Sequence, residues 1–414
     1  MTDGTASVRC KGFVKYGAAA VAVALWALPA VAQTPPPADA PPAAPPPVPM
    51  AAPPPPPPAA PPPAVITETK PPTATETMAA TRPDVLPPID VGAWTRVSGL
   101  FQGASDQKKL NDWRMNNAYV ELHAGGKIHK KVGVTLNLNA NMNNFSSAAV
   151  SVMDAIISFD FQDEFHVWGG HLLVPVDRAN ASGPFFMIPW NYPGLPGSGP
   201  AEGPSGRNNG VVVWGDISGG MLTYLAGVFD NGDVTTSPLF SGRLRLALLD
   251  PEPGFWGNGS YFGEKDLLSI GVGGQFQKHG SSVTAPMTMV VTDKDYADIN
   301  VDVLFEKKLP GGAWFTAEGA YYHFNVLDSK ISDSLYGLLA YATPTMGVGN
   351  LQPMVRYQWE KVKSGTGTNP WNIDGGLSYL IKGPALRLNA TYSYTKIGDV
   401  GANAIQLGAQ AIFF

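Results

Sequence analysis

Apolar and polar residues alternate with a period of two along most of residues 91–414. In residues 351–360, Val355 and Tyr357 fall on one face and Arg356 falls on the other. A period of two is typical of β-strands that have one apolar and one polar face. The same pattern recurs in three further segments, 132–142, 299–306 and 386–395. No run in this region approaches the roughly 18 consecutive apolar residues that indicate a membrane-spanning helix.

The alternating segments divide into about sixteen strands, an even number that brings both chain ends to one side of a closed barrel. A soluble β-sandwich also alternates. Here, however, the polar face carries mainly Asn, Thr, Ser, Gln and Arg, which suits a water-filled lumen, and aromatic residues cluster near strand ends, as at a lipid interface. We therefore predict an all-β fold, a transmembrane antiparallel β-barrel, over 91–414. Residues 284–292 could hide one more short strand.

Composition supports this class and argues against several others. Charged residues make up 15% of the chain and the formal net charge is -5, whereas soluble domains average about 25% charged residues. No clustered basic face predicts nucleic-acid binding. The single cysteine, Cys10, precedes the apolar stretch of the leader, and the six histidines lack metal-site spacing. We expect no metal, no cofactor and no enzyme activity, since no nucleophile motif is present.

The first 90 residues predict two segments outside the barrel. Residues 1–32 have a basic start, a short apolar run and small residues before Gln33, and so indicate a secretory signal peptide. Residues 33–90 are rich in Pro and Ala and predict a disordered arm in the periplasm, because proline fixes φ and removes amide donors. The arm is a passive spacer or a semi-rigid tether to a partner.

The longest connection, roughly 175–207, contains Phe185, Phe186, Trp190 and Tyr192 among many Gly and Pro residues. A long loop without structure of its own usually has a function or is disordered, and the aromatic residues argue against disorder. We expect it to fold into the lumen and narrow the pore. The alternative is an extracellular lid or lattice contact.

Several segments resemble the phosphate-selective porin O/P family of trimeric, sixteen-stranded porins. The resemblance runs from about 94 to 414, and its most specific landmark is DPEPGFWGNGSYFGEKDLLSIGVGGQFQ at 250–277. It implies a homotrimer in which the loop after the fifth strand constricts the lumen. The family has a basic residue where this chain has His171, and often another at Leu173, so these departures weaken the expected anion selectivity.

The lumen is expected to carry charges of both signs. The pore-lining or constriction candidates are Lys131, His171, Asp177, Arg178, Arg207, Arg243, Arg245, Arg356 and Arg387. Opposed charges across a constriction would orient polar solutes, which fits weak ion selectivity. For each arginine, the alternative is a structural ion pair within the wall.

The chain ends on the aromatic pair Phe413 and Phe414, which resembles the signal read by bacterial barrel-assembly machinery. Alternation puts Phe413 on the apolar face, whereas a bulge near Gln410 would instead bring Phe414 outward.

These features together predict a porin in the outer membrane that passes small hydrophilic solutes and ions by diffusion, with some anion preference left open. Its expected partners are outer-membrane lipid, the barrel-assembly machinery and small hydrophilic solutes or anions, without nucleic acid. The alternative is a structural or adhesive barrel with a plugged lumen.

Overall fold

The computed structural model describes nine parts of the chain: 89–104, 110, 112–141, 149–193, 206–230, 237–284, 291–325, 331–363 and 367–413. The expected signal peptide 1–32, nearly all of the expected arm 33–90, and Phe414 lie outside these described residues. Within them, no helix is both long and apolar enough to cross a membrane.

The described residues form a closed antiparallel β-barrel of sixteen strands, which confirms the predicted fold class and strand number. Each strand pairs with its neighbours along the chain, and β1 pairs with β16 to close the barrel. The strands are β1 Asp90–Ala104, β2 Asp112–His129, β3 Val132–Asn141, β4 Ala149–Gln162, β5 Phe165–Leu173, β6 Arg207–Ile217, β7 Leu222–Asp230, β8 Leu239–Ala247, β9 Leu267–Thr284, β10 Val291–Leu309, β11 Ala313–Asn325, β12 Ile331–Ala342, β13 Asn350–Val362, β14 Trp371–Lys382, β15 Leu386–Ile397 and β16 Val400–Phe413.

The outer face of the barrel is apolar, as strand alternation requires when lipid surrounds it. Exposed aromatic side chains lie toward both ends of the strands. One group, including Phe161, Phe165 and Tyr341, lies near the end that holds the termini of the barrel, and the other includes Trp113 and Tyr321 near the opposite end. Two such belts flanking an aliphatic band are characteristic of transmembrane barrels.

We call the end where β1 begins and β16 stops the terminal end, and the other the loop end. Most connections at the terminal end are short, such as 130–131 and 163–164. The connection 248–266 between β8 and β9 is the exception. Of the span 284–292, Thr284 belongs to β9 and residues 291–292 belong to β10, whereas 285–290 lie outside the described residues.

The last strand keeps a regular register to its end. Pairing with β1 and with β15 continues without a bulge through Gln410, and Phe413 lies opposite Ala93. The side chain of Phe413 is 59% exposed on the outer face, while that of Gln410 is buried inside. The bulge considered near Gln410 is therefore absent from this strand.

Candidate functional site: the interior of the barrel

Two connections fold into the interior, one from each end. We call residues 174–193, which follow β5, the loop-end insertion, and residues 248–266 the terminal-end insertion. Phe185 and Trp190 of the first and Phe255 of the second are buried. Aromatic burial removes a large apolar area from water, which offsets the entropy of ordering these segments. The expected inward fold of the loop after the fifth strand is thus observed in its described part.

The loop-end insertion begins with a short helix, α1 (Arg178–Ser182). The carboxylate of Asp177 caps it by accepting a hydrogen bond from the amide of Asn180 at 2.8 Å. The same carboxylate accepts a hydrogen bond from the Tyr322 hydroxyl on β11 at 2.7 Å. Burial nevertheless raises the pKa of Asp177 above its usual range. The capping residue therefore also fixes α1 to the barrel wall.

Arg178 joins the two insertions. Its guanidinium donates to both carboxylate oxygens of Glu252, at 2.6 and 2.8 Å, and both side chains are 0% exposed. It also donates to Ser269 on β9 and to the carbonyl of Asn258. Burial alone would raise the pKa of Glu252, but the charge of Arg178 outweighs it and lowers that pKa well below its usual range. We call this pair the Arg178–Glu252 clamp.

Two arginines of β8 lie beside the Arg178–Glu252 clamp. Arg243 donates to both carboxylate oxygens of Asp302, at 2.6 and 2.9 Å, and to the carbonyl of Val176 at 3.0 Å. Arg245 donates to the carbonyls of Glu252 and Gly254. Alternation correctly predicts that both side chains point inward, but their donors are engaged with the wall and the insertions.

A second group of arginines holds the tip of the loop-end insertion. The guanidinium of Arg96 lies 4.0 Å from the ring centroid of Trp190 and donates to its carbonyl at 2.5 Å. Arg387 donates to the carbonyl of Met187 at 2.7 Å, and its guanidinium lies 5.4 Å from the same ring. On β16, a Cβ added to Gly408 would lie only 2.4 Å from the Trp190 ring. Glycine is thus needed where this ring packs against the wall.

Two further candidates form ion pairs with the wall. Arg356 pairs with Asp374 at 2.7 Å and also donates to the carbonyl of Asn191 at 2.8 Å. Arg207 pairs with Asp154 at 2.7 Å, and its side chain keeps only slight exposure. For these arginines, the structural ion pair considered from the sequence is present in the barrel.

The prediction that Lys131 and His171 line the lumen is wrong for both residues. Lys131 is in the turn between β2 and β3, exposed, with its ammonium 5.8 Å from the ring centroid of Phe161. His171 pairs in register with Asn209, and Nδ1 of His171 lies 2.9 Å from Oδ1 of that asparagine. Their neighbour Val211 is exposed on the outer face, so alternation places His171 outward as well.

A partly exposed polar wall remains on β2–β4. Its inward side chains include His123, Asn137 and Asp160, none of which is fully buried. Nδ1 of His123 lies 2.8 Å from Oδ1 of Asn137, and Lys127, 64% exposed, lies 3.7 Å from Asp160 near the terminal end. This wall retains accessible donors and acceptors, unlike the arginines around the insertions.

The sequence did not single out Arg96 or Glu252. Arg96 stands on an alternating strand and could have been assigned inward by the same rule as Arg243. Glu252 lies in an irregular connection, where no periodicity indicates direction. Among the described residues, no group of three or more His, Cys, Asp or Glu side chains is arranged to hold a metal ion.

Comparisons with known proteins support the fold. No family model matches the chain, and no curated protein matches it. The resemblance to the phosphate-selective porin O/P family therefore stays a prediction.

Solved structures that the chain is similar to include OprB of Pseudomonas putida, with a TM-score of 0.59 and 10% identity, covering 78% of this chain and 94% of that one. OmpT, an outer membrane protein of Vibrio cholerae in its trimer form, gives a TM-score of 0.52 and 12% identity, covering 78% and 99%. OmpF of Salmonella typhi, in complex with daunomycin, gives 0.52 and 10%, covering 78% and 97%. At these identities the likeness establishes a shared sixteen-stranded barrel architecture.

Proposed function

We propose that the chain is an outer-membrane porin through which small hydrophilic solutes and ions diffuse passively. The observation that carries the proposal is a closed sixteen-stranded barrel with an apolar outer face and a partly exposed polar wall on β2–β4. The likeness to OprB and OmpF supports it. Solutes pass between this wall and the loop-end insertion, which narrows the lumen.

The barrel sits in the outer membrane with its terminal end toward the periplasm. Short turns at one end and longer loops at the other support this orientation, since outer-membrane barrels have short periplasmic turns. The signal peptide delivers the chain, and the arm 33–90 lies in the periplasm. The barrels assemble as homotrimers, in line with the trimer form of OmpT.

Weak ion selectivity follows from the pairing of the arginines. Fixed charge selects ions when it faces the permeating solution. Arg178 and Arg243 are instead buried and bound to Glu252 and Asp302. The accessible pair Lys127 and Asp160 carries opposite charges, so the exposed wall adds little net field.

Single-channel recording in a planar bilayer with a salt gradient tests the proposal. The expected result is stepwise conductance with a reversal potential near zero. A strong anion preference that disappears in Arg243→Ala with Arg245→Ala would contradict weak selectivity. Absence of any conductance step from correctly folded barrels would contradict the porin function itself.

A structural barrel with a plugged lumen is the second candidate function. The observation in its favour is that the two insertions meet inside the barrel, where Arg178 donates to Glu252 and Asn258 of the opposite insertion. Such a barrel would show no conductance under the same recording conditions. Conductance in Arg178→Met but not in the natural chain would support this candidate.

A further inference from the structure

A groove indents the outer face of the barrel on β14–β16. Its volume is about 360 Å³, and its outward-facing lining residues are Gly375, Leu377, Ala390, Tyr392 and Ile405. A Cβ added to Gly375 would meet nothing within 4 Å. Ala390 lies opposite Leu377 in the register and carries only a methyl group. The groove therefore lies where small residues of β14 and β15 are surrounded by larger side chains.

The groove lies in the middle of the apolar band. On β14, Trp371 and Tyr379 each lie four residues from Gly375, so all three face outward by alternation. Eight residues span about 26 Å along a strand. With the usual strand tilt, this is comparable to the roughly 25 Å height of the apolar band between two aromatic belts. An occupant of the groove is therefore apolar and comes from the membrane.

A lysine lies above the groove toward the loop end. Lys396 of β15 faces outward like Ala390 and Tyr392, and it lies opposite Trp371 in the register. Its side chain has no ion pair and no hydrogen bond with any other residue that the structure describes. Such an ammonium at the edge of the apolar band is placed to meet an anionic lipid headgroup.

Aromatic rings lie between this lysine and the groove. Tyr394 follows Tyr392 on the outer side of β15, and its ring centroid is 5.4 Å from that of Trp371. The Tyr392 hydroxyl donates to the amide oxygen of Asn403 at 2.6 Å, which holds this ring at the edge of the groove. Tyr and Trp rings are typical of the membrane interface. From the loop end inward, the order is ammonium, aromatic rings and apolar groove, which matches the order of phosphate, linking group and acyl chain in a lipid.

We propose that this face binds one phosphate-bearing lipid of net negative charge from the leaflet around the loop end. Its phosphate pairs with Lys396, and one acyl chain fills the groove at Gly375. The chain supplies the van der Waals contacts that an empty groove lacks. The proposal deepens the proposed outer-membrane location and rests on it. Charge complementarity at Lys396 favours a lipid over a second copy of the barrel.

Native mass spectrometry of the purified full-length protein tests the site. The protein is titrated in micelles of a neutral detergent with dimyristoylphosphatidylglycerol or with dimyristoylphosphatidylcholine, which has the same chains but no net charge. We expect one copy of the anionic lipid to be retained at a lower lipid concentration than the zwitterionic one. Lys396→Gln should raise the half-saturating concentration of the anionic lipid about fivefold, the usual effect of one lysine near an anionic lipid surface. Gly375→Leu should weaken retention of both lipids, because its side chain occupies the groove.

The chain offers a matched control for each variant. Lys361→Gln makes the same change in net charge on the outer face of β13, but Lys361 lies 3.6 Å from the carboxylate of Asp333. Gly337→Leu adds the same side chain to an outward glycine of β12, where a Cβ also meets nothing within 4 Å. Both controls should leave the half-saturating concentration unchanged. If Gly375→Leu does not fold, Lys396→Gln against Lys361→Gln still decides the proposal.

The outcomes separate the lipid site from the porin function. Equal retention of the two lipids, or an equal effect of Lys361→Gln and Lys396→Gln, overturns the site. Loss of oligomers in Gly375→Leu with unchanged lipid retention would assign the groove to a second copy and also overturns it. Specific retention of the anionic lipid by a barrel that shows no conductance supports the site and contradicts only the porin function.

Discussion

Arg178 illustrates how the cost of burying charge is offset at the scale of a single residue. Moving a guanidinium out of water costs several kcal/mol after relaxation. Two contacts to Glu252 and one to Ser269 satisfy its terminal nitrogens, and the carboxylate is equally buried. Each charge in the clamp is therefore compensated first by the other, while Arg245 lies 3.4 Å from Glu252 and Asp302 lies 3.4 Å from Arg178.

Breaking the clamp from one side should be costly. Arg178→Met leaves buried Glu252 with only the longer contact to Arg245 at 3.4 Å, and we expect a loss of about 3–5 kcal/mol in unfolding free energy. Adding Glu252→Leu should recover most of that loss, because the carboxylate that lost its main partner is then absent. Urea unfolding of the folded barrel in detergent measures both variants.

Lys307→Met is the control for the clamp, since it breaks an exposed pair with Asp266. Exposed pairs contribute little to stability, so its unfolding midpoint should match that of the natural chain. If Arg178→Met with Glu252→Leu is no more stable than Arg178→Met alone, the two charges are not coupled as described.

The stability contributed by the Arg178–Glu252 clamp should be lost in acid. The pKa of Glu252 lies below its usual range because Arg178 outweighs the effect of burial. A carboxyl with a lowered folded-state pKa contributes stability above its unfolded pKa of about 4.3, and this contribution is lost as the pH falls below that value. We expect the urea midpoint to stay level from about pH 7 to 5 and to fall below about pH 4.

Glu252→Gln isolates this effect, because glutamine keeps the shape but does not titrate. Its urea midpoint should be lower at neutral pH and should decline less steeply in acid. Parallel pH profiles for the variant and the natural chain would show that other carboxyls control the acid response.

At the scale of elements, the loop-end insertion is fitted to β16 through Trp190 and Gly408. The ring leaves no space for a Cβ at Gly408. Arg96 and Arg387 hold the same ring and its neighbouring carbonyls in place. An indole fixed on several sides cannot move aside easily, so strain is expected from even one added methyl group.

Gly408→Ala should therefore lower the unfolding free energy by about 1–3 kcal/mol, the usual cost of overpacking. Gly375→Ala is the control, because a Cβ on this glycine meets nothing within 4 Å. That control should stay within about 0.5 kcal/mol of the natural chain. Equal stability of the two variants in urea would mean that the insertion is not packed as described.

Strand alternation predicted the direction of side chains well wherever a strand was regular. Arg243, Arg356 and Arg387 point inward as the period of two requires. The prediction that Lys131 points into the lumen was wrong because this residue lies in the turn after β2 and not in a strand. The boundaries of strands are the least certain part of any prediction from alternation. The inward path of residues 248–266 was not predicted, since an irregular connection carries no period that reports its direction.

The candidate site was predictable in outline but not in its pairing. Sequence order places Arg178 and Glu252 74 positions apart, and only the closed barrel brings them together. The choice between a pore charge and a structural ion pair depends on such contacts. It could not be made from the residues of one strand.

At the scale of the whole molecule, closure depends on the seam between β1 and β16. Phe413 ends that seam on the outer face, opposite Ala93. We expect Phe413→Ala to reduce the folded fraction, because the predicted assembly signal and the apolar contact of the last strand are both lost. Deleting Phe414 should be mild. The folded fraction is measured by the mobility of unheated and heated protein in gels.

Leu407→Ala is the matched control, since Leu407 lies on the same outer face of β16 and is also exposed. It removes apolar area without touching the chain end, so it should assemble nearly normally. An equal defect in both variants would show that lipid contact, rather than the terminal aromatic, limits assembly.

Two anchors of the loop-end insertion come from β15 and β16, the last two strands of the barrel. Arg387 binds Met187 across 200 positions, and Gln410 binds the carbonyl of Phe185 across 225. Contacts of such long sequence separation form late in folding. The interior therefore acquires its final arrangement only when β15 and β16 are in place, so a chain stalled before that step would leave the tip of the loop-end insertion without these two anchors.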